Sequence, residues 1–184
     1  MNPILSARDI DGKYQKKIFL EDYSKKPIIE GVKIVELRNM VGEDGDFSEL
    51  MRFTENGESE VFPGFFVRQI SRSKMLPGSI KAWHLHFAQD DIWHVPPSDK
   101  MLIGLLDVRK DSPTKHVSMR LALGGGKAHL VFIPKGVAHG AANISKKNAS
   151  IIYFVNQQFN LENPDEHRLP WDTLGEEFWQ VKKG

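Results

Sequence analysis

The chain has 184 residues, 40% of them hydrophobic and 27% charged, and 25 basic against 24 acidic side chains leave a formal net charge of +1. That size and mix suit one globular domain with a sizeable core and offer no basic stripe for nucleic acid. Having no cysteine, the chain has neither disulfides nor thiolate metal sites, and no run approaches the roughly 18 apolar residues of a membrane span.

The first stretch, MNPILSARDIDGKYQKK, scatters charges among its apolar residues and has no apolar core of the signal-peptide kind. A soluble, cytoplasmic protein is expected. Residues 1–27 are polar and weakly patterned, and they read as an extension or arm carrying at most one short helix. From residue 28 to 184 the texture is that of one domain. IIEGVKIVEL, GFFVRQISRS, SIKAWHLHF, KMLIGLLDV, HVSMRLAL, AHLVFIP and ASIIYFVNQQF are short and rich in Val, Ile and Phe. Several of them alternate apolar with polar residues. Between them stand the turn signals GEDGD, MLPGS, VPPSD, KDSPT, GGGK, PKG and ENPDE. Many short strands without ten-residue helical patterns between them predict an all-β domain, an antiparallel sandwich or barrel with small helical additions. The tail HRLPWDTLGEEFWQVKKG is expected to pack a short irregular or helical segment through Trp171, Phe178 and Trp179.

Two histidines stand two apart in GSIKAWHLHFAQDD, residues 78–91. On a strand His84 and His86 share one face, while Trp83 and Leu85 take the other. The same alternation sets Lys81 on the face of Trp83. A second stretch, FIPKGVAHGAAN at residues 132–143, places His139 at the opening of a strand after a turn shaped by Pro134 and Gly136. Three imidazoles and a carboxylate on one cavity would suit Fe, Mn, Ni or Zn. The other reading of these histidines is of buried polar groups with satisfied hydrogen bonds.

The two stretches resemble the bipartite signature of the cupin superfamily, a small β-barrel or jelly roll. Gly78, His84 and His86 match its first motif, with Asp90 or Asp91 where a glutamate belongs. Pro134, Gly136, His139 and Asn143 match its second. A wider set of residues resembles one family in particular, the dTDP-4-dehydrorhamnose 3,5-epimerases. DVRKDSPT at residues 107–114 and IPKGVAHG at residues 133–140 are similar to its D-x-R-x-x-S-P-T and I-P-x-G-x-A-H-G segments. Phe47 and Glu49 of GDFSE, Ser71 and Ser73 of SRS, and Tyr153 of SIIYF also fall in order, as does the tail PWDTLGEEFW. His84 matches the histidine of the family's R-G-L-H, with Lys81 in the arginine's place.

The resemblance implies a homodimeric β-sandwich that binds a nucleotide-linked 4-keto-6-deoxyhexose, with no cofactor and no nucleic-acid or membrane partner. It implies inversion of a carbon next to the ketone: a base removes the alpha proton, a cation or donor steadies the enolate, and an acid on the other face returns a proton. Residue by residue, it makes His84 the base, Tyr153 the acid and His139 a polar group of the same site. Lys81, Glu49, Phe47, Gln69, Ser71, Gln89 and Asn156 become candidate substrate contacts.

The chain also departs from that family. Asp44 stands for an arginine, Ile92 for a lysine, Ile103 for a substrate-contacting aspartate and Gln158 for an aromatic residue. The late S-x-K-D segment, whose aspartate buttresses the histidine base, has no counterpart. Asp90, Asp91 and Glu49 are candidates to replace that buttress. Two other functions therefore stand beside the epimerase: a metal-dependent cupin enzyme holding one divalent transition metal through His84, His86, Asp90 or Asp91, and His139; and a sugar-binding member without catalysis.

Overall fold

A computed structural model describes residues 4–24 and 26–182. The strands run in chain order β1 (Lys33–Leu37), β2 (Asn39–Gly42), β3 (Gly45–Ser48), β4 (Gln69–Met75), β5 (Ile80–Leu85) and β6 (Asp91–His94). Then follow β7 (Lys100–Asp107), β8 (Ser118–Gly124), β9 (Ala128–Ile133), β10 (Val137–Asn143), β11 (Ala149–Val155) and β12 (His167–Arg168). Two five-stranded sheets form, in the orders β1-β9-β6-β11-β4 and β12-β5-β10-β7-β8, and every ladder is antiparallel. β2 and β3 make a separate hairpin. The all-β architecture expected from the alternating segments is the one observed.

Alternation sorts the side chains into three apolar layers. Between the sheets lie Met75, Trp93, Val131 and Ile151 from one and Met101, Ile103, Leu105 and Met119 from the other. Among the described residues Ile29 is the first buried one, and those before it are exposed or half-buried. Phe62 and Phe65 of the long loop cover the outer face of the first sheet, against Ile92, Leu130 and Phe154. The tail covers the outer face of the second, where Trp179 and the half-buried Phe178 pack on Trp83, Leu102 and Leu106.

The tail is a 3-10 helix, Glu176–Trp179, held down as expected by Phe178 and Trp179. Trp171 departs from the expectation. Its side chain is 41% exposed, and its backbone carbonyl accepts the Trp179 indole N–H at 2.8 Å. Gly104 makes room for this layer, since a Cβ there would stand 2.6 Å from both Phe178 and Trp179.

The pairing of β5 with β10 places the site. His139 lies opposite His84, but Ala141 lies opposite Lys81. Three steps along β5 are thus matched by two along β10, which is a bulge. The extra residue returns Lys81 to the face of His84, so strict alternation gave the wrong side for this lysine. The two strands also approach closely. A Cβ on Gly140 would meet the Ala82 Cβ at 2.4 Å and its Cα at 2.8 Å. Gly140→Ala is therefore expected to force the strands apart and cost about 1–3 kcal/mol of stability, measured by urea unfolding.

Candidate active site

One cavity of ≈ 800 Å³ opens between the sheets, walled by β4, β5, β6, β10 and β11 and by residues 157–168 of the chain after β11. That volume is within the usual range for a small-molecule site. His84 and His86 on β5 and just after it, and His139 on β10, all line it. The rings of His84 and His139 stack at 5.9 Å with 9° between their planes, and His86 lies 5.2 Å from His139. Segments some 55 residues apart thus meet because β5 and β10 are neighbours.

Tyr153 enters from the opposite sheet. It packs edge-on to Trp93 at 5.2 Å, and Trp93 in turn packs edge-on to His139 at 5.0 Å. Burial pushes the Tyr153 phenol above its ordinary range, against the opposing pull of a hydrogen bond with Ser73. It therefore keeps its proton at neutral pH. His139 is buried, and burial pushes its imidazole down from the ordinary range while the Asp91 carboxylate pulls it up.

The buttress of His84 is a residue that sequence reasoning missed. Glu166 Oε1 lies 2.6 Å from His84 Nδ1. On the other side of the ring, Arg168 Nη1 donates to Nε2 at 2.9 Å, and its Nη2 lies 2.9 Å from Glu166 Oε1. A guanidinium can only donate, so Nε2 carries the lone pair and Nδ1 carries the proton. Glu166 and Arg168 arrive through β12, in which Arg168 pairs with His84. In sequence they sit in a stretch that reads as turn and tail. Only the paired spacing of Glu166 and Arg168 hints at a strand.

The three proposed substitutes for the buttress stand elsewhere. Asp90 accepts from the Lys135 backbone N–H and from Asn156 Nδ2, and its own N–H donates to Asn156 Oδ1. Asp90 is thus a loop staple, and the metal set written with Asp90 does not assemble. Asn156 is that staple's partner and does not line the cavity. Asp91 does line it, but it lies by His86 and His139, with Gln89 and Trp93 donating to its carboxylate at 2.7 and 2.9 Å. Glu49 pairs with Arg52 at the surface, at 2.7 Å, and Phe47 is 61% exposed on the hairpin. Neither belongs to the cavity of this chain.

Gln69, Ser71, Gln89 and Lys81 do line it. Gln69 holds the Ser71 hydroxyl and Lys81 holds the Ser73 hydroxyl at 2.8 Å. At the place of the family's lysine, Ile92 is fully buried in the outer layer. Its neighbour Asp91 faces the cavity, so a negative charge stands beside the place where the family carries a positive one. Asp165 shapes the nearby loop. Burial alone would raise its carboxyl, but donors from the Phe87, Ala88 and Gln89 backbone hold it below the ordinary range.

The most specific motifs turn out to be structural. Asp107 is fully buried and accepts from Arg109, Ser112 and Thr114 at 2.5–3.1 Å. Arg109 also donates to the Glu30 carbonyl, and its side chain lies where a Cβ on Gly136 would be, at 2.6 Å. DVRKDSPT and IPKGVAHG thus brace each other beside the cavity.

Comparison with known proteins agrees with this arrangement. The family model described as dTDP-4-dehydrorhamnose 3,5-epimerase matches residues 26–177. The chain is 40% identical over 150 residues to the spore coat polysaccharide biosynthesis protein SpsL of Bacillus subtilis, covering 80% of this chain and 95% of that protein. It is 27% identical over 146 residues to the probable low-salt glycan biosynthesis epimerase Agl13 of Haloferax volcanii, covering 79% and 90%. Among solved structures, the dTDP sugar isomerase of Desulfovibrio desulfuricans superposes with a TM-score of 0.68 at 25% identity, over 84% of this chain and 91% of that one. With the motifs in order, the histidines and the tyrosine facing one cavity, and a match spanning nearly the whole β-sandwich, the chain belongs to the dTDP-4-dehydrorhamnose 3,5-epimerase family.

Proposed function

We propose that this chain inverts a carbon next to the ketone of a nucleotide-linked 4-keto-6-deoxyhexose, with His84 as base and Tyr153 as acid. One observation carries the reading: the two groups reach the same cavity from facing sheets. A base and an acid on opposite sides of a bound sugar ring are what inversion requires.

Glu166 holds the Nδ1 proton of His84, leaving Nε2 to take the proton from carbon. Before that transfer the Arg168 contact to Nε2 gives way to the substrate C–H. The enolate oxygen then needs fixed positive charge or donors, and Lys81 and Arg168 are the cations of the cavity lining. Tyr153, protonated at neutral pH, returns a proton to the other face. Epimerases of this family act without a cofactor.

The experiment is wash-in of deuterium from heavy water into dTDP-4-keto-6-deoxyglucose and related nucleotide sugars, followed by mass spectrometry and NMR. Deuterium is expected at carbons beside the ketone, and its absence from every nucleotide sugar tried overturns the reading. Tyr153→Phe is expected to retain wash-in through His84 while inverted product falls by about 10²-fold or more.

Residues 28–184 form the catalytic domain in this reading, residues 1–27 an arm, and the working unit is a cytoplasmic homodimer. Exposed Met40, Val41 and Phe47 on the β2–β3 hairpin and the open edges of β1 and β4 support association, because pairing covers such surfaces. Light scattering on the purified chain is expected to give twice the 20.9 kDa of one chain.

A further inference from the structure

His86, Asp91 and His139 converge at the inner end of the cavity, and their ligand atoms all lie within 4.8 Å of one another. Their side chains are 6%, 6% and 3% exposed. The protons of both rings are placed by their neighbours. His86 Nδ1 meets the Asp165 backbone carbonyl, and His139 Nδ1 meets the Val137 carbonyl at 3.0 Å. A carbonyl only accepts, so each Nδ1 carries a hydrogen and each neutral ring turns the lone pair of Nε2 inward.

Those lone pairs face carboxylate oxygens. His86 Nε2 is 3.9 Å from Asp91 Oδ1, and His139 Nε2 is 3.7 Å from Asp91 Oδ2. A second carboxylate is close, with Glu166 Oε2 at 4.0 Å from His86 Nε2. These gaps are too long for hydrogen bonds. Two lone pairs thus face one buried carboxylate, an arrangement that repels itself until positive charge stands inside it.

We infer that this volume is a site for one divalent transition-metal ion, held by His86 Nε2, His139 Nε2 and the Asp91 carboxylate. Imidazole nitrogens with carboxylate oxygens suit Zn, Co, Ni, Mn or Fe(II) and not the all-oxygen preference of Ca or Mg. Histidine ligands whose other ring nitrogen donates to a backbone carbonyl are the usual support for such an ion. Ligand bonds of about 2.0–2.1 Å set the edges of a tetrahedral site at about 3.3–3.4 Å, so the two His–Asp91 gaps of 3.9 and 3.7 Å close by about half an ångström. No donor pair, all within 4.8 Å, closes by more than about 1.4 Å. Gln89 and Trp93 hold the Asp91 carboxylate without using all its lone pairs.

Of the set expected from sequence, His86, His139 and the Asp91 alternative converge, whereas Asp90 is the loop staple and His84 is engaged by Glu166 and Arg168. Resting on the epimerase reading, the ion supplies positive charge at the end of the cavity where this chain has Asp91 beside the family's lysine position.

The test uses the full chain stripped with EDTA, dialysed and titrated with Co²⁺. One cobalt per chain is expected, with visible d–d absorption and quenching of the tryptophan emission, because Trp93 bonds to Asp91. Asp91→Asn is expected to weaken cobalt binding by about 10-fold or more, and His86→Ala to abolish the absorption, with circular dichroism reporting that each variant is folded. Wild-type protein that takes up no stoichiometric cobalt overturns the inference, as does undiminished binding in folded His86→Ala and Asp91→Asn. The two readings fail separately. A chain that exchanges deuterium but binds no cobalt sinks the metal site alone, and one that binds cobalt but never exchanges deuterium supports the site and sinks the epimerase.

Discussion

Replacing His84 with alanine is expected to slow deuterium wash-in by about 10²–10⁴-fold, the usual worth of a positioned base. Two contacts orient the His84 ring. Glu166 at 2.6 Å fixes the proton on Nδ1, and Arg168 at 2.9 Å marks Nε2 as the atom with a lone pair. Without the His84 ring the cavity keeps Lys81 and Arg168, and the remaining imidazoles, His86 and His139, face Asp91. Glu166→Gln tests the buttress separately. It keeps size and shape while removing the charge that balances the imidazolium, so kcat is expected to fall with KM little changed. Exchange at the wild-type rate in folded His84→Ala would remove this histidine from the mechanism.

The second large effect is on stability. Asp107→Ala is expected to cost about 3–5 kcal/mol, the range for removing one partner of a buried ion pair. Arg109, Ser112 and Thr114 would lose a common acceptor, and Arg109 would be left with the Glu30 carbonyl and the Ser112 hydroxyl, neither of them charged. Burial alone would raise the Asp107 carboxyl, but the hydrogen bonds from Arg109, Ser112 and Thr114 override it and hold the group well below the usual carboxylate range. The sign follows from that depression. The contribution is fully present above the unfolded carboxyl pKa of about 3.9 and is lost as pH falls below it toward the folded value. Urea unfolding of wild type and Asp107→Ala should therefore differ most at neutral pH, with the gap closing as the pH is taken down from about 4. A gap that stays constant to pH 3 would contradict it.

Family membership and catalytic role separate at this point. DVRKDSPT is specific enough in sequence to identify the family, yet Asp107 and Arg109 brace a loop against Gly136 and the start of β10. They hold His139 and the loop of His86 in place, since Gly136 N–H donates to the His86 carbonyl at 2.8 Å. Glu166 meets His84 Nδ1 at 2.6 Å from the stretch leading into β12.

What the residues determine alone is whatever depends on near neighbours in the chain. Alternation along β5 sets His84 and His86 against Trp83 and Leu85, and the layers show this split, with Trp83 and Leu85 under the tail. Alternation also puts Tyr153 inward and Phe154 outward. The turn signals separate the strands, and the motif spacing names the family. What the tertiary structure alone decides depends on register between distant strands. The bulge of β5 against β10 moves Lys81 to the cavity face, an effect of one unmatched residue that no local pattern reveals. The docking of β12 on β5 delivers Glu166 and Arg168 to a histidine more than 80 positions earlier. The choice between Asp90 and Asp91, adjacent and chemically identical, falls to the pleat of β6, which turns one to a loop staple and the other to the histidines. Side-chain type and spacing are carried by the chain itself, whereas which carboxylate meets which imidazole is set only when the sheets close.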